Sequence, residues 1–391
     1  MKKLVMIAIF FVLIASGCFS GCLENLDDAN LKKSDDSNEF EDDVSNQTDD
    51  SQDSNESIPK SCYLNVSSWQ GDNYHLCYLA CISMLLNYYD KDIGFSDVVV
   101  NTGIATSFQI KKEGNKKDED VFEDEKEEED ESEDIINPFI IPSVMKNLGY
   151  KPHLISNGPL QGFGIQFNQI EDKKQLSNKT EFFNKLKYVL SSKNPVFTWM
   201  DNSTLWEKYY PSIKISSEPL LVTGYDKENV YTNIATSGVN STNKSLPMDV
   251  FLNGWKEMTP FFIYATENTD YGKNFTEILS ELKKHADTAP ENLRSCADGL
   301  ENGSINLGQL GQQGSLATSF GTYVGMRKSL ADVLKDKGYE DIAMIYNESG
   351  FNFSRVYEIS DHADIEPTDV ADLLREIANL EEEAYSLWPK N

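Results

Sequence analysis

The stretch Asp72-Asn73-Tyr74-His75-Leu76-Cys77-Tyr78-Leu79-Ala80-Cys81-Ile82-Ser83-Met84-Leu85-Leu86-Asn87-Tyr88-Tyr89 decides how the rest of the chain is read. It opens on side chains that cap helices and continues with apolar residues on every face. A helix that is apolar all round is buried all round, so a substantial core must surround it. Cys77 falls in the first turn, where free amides and the helix dipole favour a thiolate and can receive an oxyanion. A cysteine in an apolar helix is also an ordinary small hydrophobe, and Cys81, one turn later, is read as core. Downstream, Pro195–Met200, Pro219–Tyr225, Val230–Asn233 and Pro260–Ala265 are β-rich runs, with Asp226-Lys227-Glu228-Asn229 as a hairpin turn. The layout is α+β: a buried helix first, an antiparallel sheet after it.

Two acidic runs flank this orderly region. The chain has 391 residues, 35 Lys and Arg against 64 Asp and Glu, and a net charge of −29. Leu23–Lys60 carries −10 of this and Glu113–Asp134 carries −11. The remaining body is moderately acidic, which argues against nucleic-acid binding because nothing neutralises phosphates in series. Residues 23–60, rich in Asp, Ser, Asn and Glu, cannot bury enough apolar surface to offset chain entropy and read as a solvated tether. Residues 113–134 read as a surface insertion loop. Ahead of the tether, Met1-Lys2-Lys3 and the apolar run Leu4–Ala15 form a secretory signal pattern, too short for a first reading as a membrane span. It ends in two small-residue-then-Cys boxes, so residues 1–22 are expected to be a signal peptide with the lipid carried by Cys22 or Cys18. The body is then extracytoplasmic and anchored to the cell membrane. Eleven Asn-x-Ser/Thr sequons fit an exported surface open to glycosylation.

Cys77 through Asp90, followed by Gly94-Phe95-Ser96-Asp97 and Gly103-Ile104-Ala105-Thr106-Ser107-Phe108, resembles the N-terminal domain of the butirosin-biosynthesis protein H family. That family is related in fold to the bacteriocin-processing, double-glycine cysteine peptidases and so to papain. Its members open with Cys-Gly-Pro/Ser-Ala-Ala and run into a Met-Leu-Leu-x-Tyr-Tyr-Gly helix; Cys77, Ala80, Met84, Leu85, Leu86, Tyr88 and Tyr89 fit without a gap. Leu220-Leu221-Val222-Thr223-Gly224-Tyr225-Asp226 matches the family's Thr-Gly-Tyr-Asp strand, and Phe251–Trp255 matches its closing Phe-x-x-x-Trp element. The resemblance implies a papain-like domain over residues 61–268 with the insertion at 113–134.

It also implies a site. A thiol attacks an acyl carbon, an imidazole takes its proton, and a carboxylate orients the imidazole. By the family's pattern Cys77 is the nucleophile position, Glu218 stands at the His position, Ile234 at the orienting Asp, and Gln70 is a candidate oxyanion donor. A carboxylate of ordinary pKa facing an ordinary thiol is mismatched by about four pH units, roughly 5.7 kcal/mol against proton transfer. The imidazoles that remain as candidate bases are His75, His153, His285 and His362. Outside the cytoplasm a Cys62–Cys296 disulfide is permitted.

Residues 269–391 read as a helical domain, with helices expected at Phe275–His285, Pro290–Leu300, Tyr323–Lys337 and Pro367–Trp388. The last has Val370, Leu373, Leu374, Ile377, Leu380, Ala384 and Leu387 at helical spacing, a core face. Relatives often carry such a helical extension with a Gly-rich approach to a helix, which Gly321-Thr322-Tyr323-Val324-Gly325-Met326-Arg327 resembles; by analogy it packs over the papain-like domain, with Arg327 a contact candidate. The other reading of Gly308–Gly325, a phosphate loop, lacks the Lys-Ser/Thr ending. No cofactor and no metal set is read from the sequence. Three functions follow: a degenerate cysteine peptidase or acyltransferase-like domain binding peptide or acyl ligands, an active thiol peptidase or acyl transferase working through acyl-Cys77, or a structural surface protein.

Overall fold

In the computed structural model, the apolar stretch forms helix α1, Cys77–Tyr89, with Tyr78 through Leu86 all buried. The structure describes residues 58–70, 76–108, 140–159, 170–202, 208, 218–235, 244–256, 258–305, 316–360 and 366–389. All of them belong to the second of two compact units, Met1–Asn55 and Glu56–Asn391. The signal, both lipidation candidates, the tether up to residue 57, the insertion, His75 and His362 lie outside the described residues.

After α1 come α2 (Phe95–Val100), α3 (Ile140–Asn147), β2 (Tyr150–Asn157), β3 (Asp172–Leu176) and α4 (Lys179–Ser191), preceded by the short strand β1 (Cys62–Tyr63). Then follow β4 (Val196–Met200), β5 (Glu218–Tyr225), β6 (Asn229–Asn233), β7 (Lys244–Pro247), α5 (Met248–Leu252) and β8 (Phe261–Glu267). The fold is α+β, with one mixed sheet in the order β3-β2-β8-β4-β5-β6-β7 and β1 added on β5. Only the β2–β3 pair is parallel; the other described pairs are antiparallel. The four expected strands are β4, β5, β6 and β8. Asp226 closes the β5–β6 hairpin by accepting from the Glu228 and Asn229 amides, each at 2.7 Å.

Gly224 of the Thr-Gly-Tyr-Asp motif has a packing reason. A Cβ there would lie 2.5 Å from the Cys62 carbonyl oxygen, so only glycine lets β1 pair on β5. The Phe-x-x-x-Trp element spans α5: the Trp255 ring meets Phe251 edge-on at 5.4 Å and Phe182 of α4 at 6.0 Å. Aromatic edges of this kind close the sheet against α4.

The C-terminal part is four helices: α6 (Phe275–Glu301), α7 (Leu316–Asp336), α8 (Glu340–Ser360) and α9 (Pro367–Leu387). The two helices expected over 275–300 are one, because α6 runs through Pro290 with an unbroken buried stripe of Leu282, Ala286, Ala289, Leu293, Ala297 and Leu300. Burial of that face outweighs the hydrogen bond proline removes. The segment Gly321–Arg327 does not approach a helix but lies inside α7. Leu387, expected in the core, is exposed; Glu381, a charged residue on the same stripe, is buried. These helices and the sheet share one apolar core.

Candidate functional site

Cys77 is the first residue of α1, and Leu76 before it supplies no side-chain cap. The thiol S–H donates to the carboxylate of Glu218, the first residue of β5, and the Tyr78 amide donates to the sulfur. The residue standing at the family's His position therefore does meet Cys77. Glu218 is largely buried, and its Oε2 atom is shielded from solvent without a hydrogen-bond partner. Burial pushes its carboxyl up to about 7. The same burial, followed by the charge of Glu218, pushes the Cys77 thiol well above its ordinary value, against the smaller lowering by the Tyr78 amide. A helix N-terminus alone would have lowered it; here the carboxylate and low dielectric win.

Cys81 lies one turn deeper, fully buried, with the Ala235 amide donating to its sulfur; desolvation and then Glu218 raise its thiol as well. Ile234, at the orienting position, is 1% exposed within the core and offers no group to an imidazole. Gln70 is exposed and donates to Ser68 Oγ at 3.2 Å; no contact joins it to Cys77.

The described histidines are elsewhere. His153, on β2, has Nδ1 at 2.6 Å from Asp172 Oδ2 and Nε2 at 2.8 Å from Thr266 Oγ1, and its ring stacks on Tyr264 at 4.6 Å. Desolvation lowers its pKa despite Asp172. His285 is half-buried on α6, where its carbonyl accepts from Thr288 Oγ1. Neither contacts the Cys77 thiol, so neither is its base.

All four described cysteines, Cys62, Cys77, Cys81 and Cys296, are free thiols. The Cys62–Cys296 bridge does not form. Cys62 packs on α4 with its S–H donating to the Leu190 carbonyl at 3.3 Å, whereas Cys296 is buried on α6, the neighbour of α9. Among the described residues no three His, Cys, Asp or Glu side chains are grouped to hold a metal.

What this arrangement can do is narrow. With Glu218 at about 7 and a thiol no lower than the ordinary 9.0, moving the thiol proton to the carboxylate costs about 2.7 kcal/mol at least, and burial of Cys77 adds to it. Burial makes the carboxylate a stronger base, but it raises the thiol as well, so the thiol keeps its proton.

No family model matches the chain. No curated protein matches it either.

Arg327 is far more than a contact candidate. It is 0% exposed and pairs with Glu381, 1% exposed, through Nε at 2.6 Å and Nη2 at 2.9 Å. Its Nη1 donates to the Ala105 carbonyl at 2.6 Å and the Ser107 carbonyl at 3.1 Å, and Nη2 donates to Thr106 and Ser107. Ser349 of α8 donates to the same carboxylate at 2.8 Å. Asn292 of α6 takes the Phe108 carbonyl, and Thr106 Oγ1 donates to the Leu282 carbonyl. The Gly-Ile-Ala-Thr-Ser-Phe segment after α2 is thus held by the helical part, its buried carbonyls satisfied by a guanidinium fork. The signal in the sequence was Glu381 itself, the acid that falls on the apolar spacing Val370, Leu374, Ile377, Ala384.

Proposed function

We propose that this chain is an exported protein, anchored to the cell membrane through a lipid on Cys22 or Cys18, whose residues 61–268 form a degenerate papain-like cysteine peptidase or acyltransferase domain. It binds peptide or acyl ligands without turning them over. One observation carries the reading: where a working relative needs an imidazole, the Cys77 thiol meets the Glu218 carboxyl. Attack on an acyl carbon needs a thiolate and a group that takes its proton and later returns it to the leaving group. The charge of Glu218 opposes the first, and its carboxylate holds a proton less tightly than the Cys77 thiolate does, so it is a weak acceptor for the second.

The test is iodoacetamide alkylation of Cys77 against pH, alongside peptidase and thioester-transfer assays. Alkylation is expected to keep rising beyond pH 9, with no turnover that depends on Cys77. A plateau below pH 7, or turnover abolished by Cys77→Ala, refutes the reading. The raised pKa of Glu218 favours a second reading, an active thiol peptidase or acyl transferase in which Glu218 is the base; the same Cys77→Ala result would support it. For the anchor, the mature protein is expected to partition into detergent, and an unmodified N-terminus such as Leu23 in the soluble fraction would overturn it.

A further inference from the structure

We propose that the face formed by α4 and the neighbouring edge of the sheet docks on the anionic headgroup layer of the membrane; the choice of partner rests on the lipid-anchor reading above. Within a chain of net charge −29, residues 140–193 carry eight lysines and three carboxylates. Six of these lysines gather on one side. Lys151 of β2 and Lys185 of α4 both act on His153, and Tyr188 of α4 acts on Tyr264, the ring stacked on that histidine. Lys174 lies two residues from Asp172 on β3 and so shares its face with the His153 bond. Lys179 begins α4 and Lys193 lies two residues past its last, while Lys187 leans over the Phe183 and Tyr225 rings.

Lys174, Lys179, Lys185, Lys187 and Lys193 have no carboxylate partner among the described residues, and Lys151 only approaches Asp172, at 3.9 Å. The carboxylates on or beside this face are Asp172, engaged by His153, Glu181 in the first turn of α4, and Glu171, which is paired with Lys146 and also feels Lys151. Tyr188 stands 44% exposed among the lysines with the Lys185 ammonium 4.6 Å from its ring centre. Lysines interleaved with an exposed tyrosine suit a headgroup layer, where the ammonium meets phosphate and the ring sits at the interface. The remaining carboxylates of the body do not cancel this, since charges beyond about 8 Å are screened at physiological salt.

The point where the tether meets the body selects the membrane as partner. The described chain begins at Ile58, 38% exposed; the Pro59 carbonyl accepts from Tyr225, the ring under Lys187, and Cys62 bonds to Leu190 of α4. The segment from the lipidation boxes therefore joins the body at the edge of the lysine face. Residues 23–57, however they run, reach about 120 Å at most, so an anchored body stays within range of the bilayer. Attraction worth about five-fold in partitioning per lysine then acts within one tethered molecule.

The experiment uses the chain from Leu23 onward, which carries neither the apolar signal run nor a lipidation cysteine, in co-sedimentation with vesicles. Binding is expected to phosphatidylcholine vesicles containing phosphatidylglycerol, not to pure phosphatidylcholine, and it is expected to vanish in about 1 M salt, where the Debye length is about 3 Å. Lys174→Glu, Lys185→Glu and Lys193→Glu together should weaken it at least about a hundredfold. Lys284→Glu, Lys335→Glu and Lys337→Glu, exposed lysines of α6 and the end of α7, should leave it unchanged. Equal loss in both triple variants, or no binding to anionic vesicles, overturns the inference; retention of polyglutamate instead, lost with the first triple variant, assigns the face to an acidic polypeptide and overturns it too. Detergent partitioning of the full chain tests the anchor separately, so the two can fail independently.

Discussion

Glu218→Gln should make the protein more stable at pH 8 while leaving it unchanged near pH 4.5. Burial raises the Glu218 carboxyl from an ordinary 4.5 to about 7 in the folded chain. Between those two values the folded state holds a proton that the unfolded state has lost, so stability must fall as pH rises through that window. Below it the group is neutral in both states and costs nothing extra. Above it the folded chain carries a buried charge. From 4.5 to about 7, at about 1.36 kcal/mol per pH unit, the penalty is about 3.4 kcal/mol. Glutamine is neutral throughout and its carbonyl can still accept from the Cys77 thiol, so the variant escapes the penalty. Urea unfolding followed by tryptophan fluorescence at pH 4.5, 6 and 8 gives the difference directly. The two proteins should coincide at the lowest pH and separate by about 3 kcal/mol at the highest. A difference that is constant across pH, or a wild-type protein that gains stability as the variant does, would refute the account of Glu218 as a desolvated acid.

The same variant should move Cys77 alkylation to lower pH, because the second-largest cause raising that thiol is the Glu218 charge; an unmoved profile would mean that burial alone sets it. Arg327→Ala should cost about 3–5 kcal/mol in urea unfolding, since it strands the Glu381 carboxylate and the carbonyls of residues 105–107, and Arg327→Lys should recover only part because an ammonium cannot reproduce the fork. A loss under about 1 kcal/mol would show that solvent reaches the pair. Gly224→Ala should release β1 from β5, seen as faster amide exchange at Leu64, whose amide donates to the Thr223 carbonyl at 2.8 Å; unchanged protection would contradict the 2.5 Å approach.

The local and periodic features were legible in the chain itself. The all-round apolar run Cys77–Tyr89 gave a buried helix, the β-branched runs gave β4, β5, β6 and β8, and Asp226 announced its turn, because each depends on neighbours in sequence. Glu218 was singled out only by the family resemblance, as the residue at its His position, and nothing in the local pattern of the chain pairs it with Cys77. Tertiary structure decided the rest. Whether Pro290 would end a helix depended on the apolar face packed along α6, and β3, four exposed residues and one buried, exists only because β2 offers it an edge. The fate of Arg327 and Glu381 could not be read locally, since their value lies in carbonyls more than 200 residues away along the chain. The acidity of Glu218 belongs here as well: a carboxyl is ordinary in a sequence, and only the desolvation imposed by surrounding chain segments raises it.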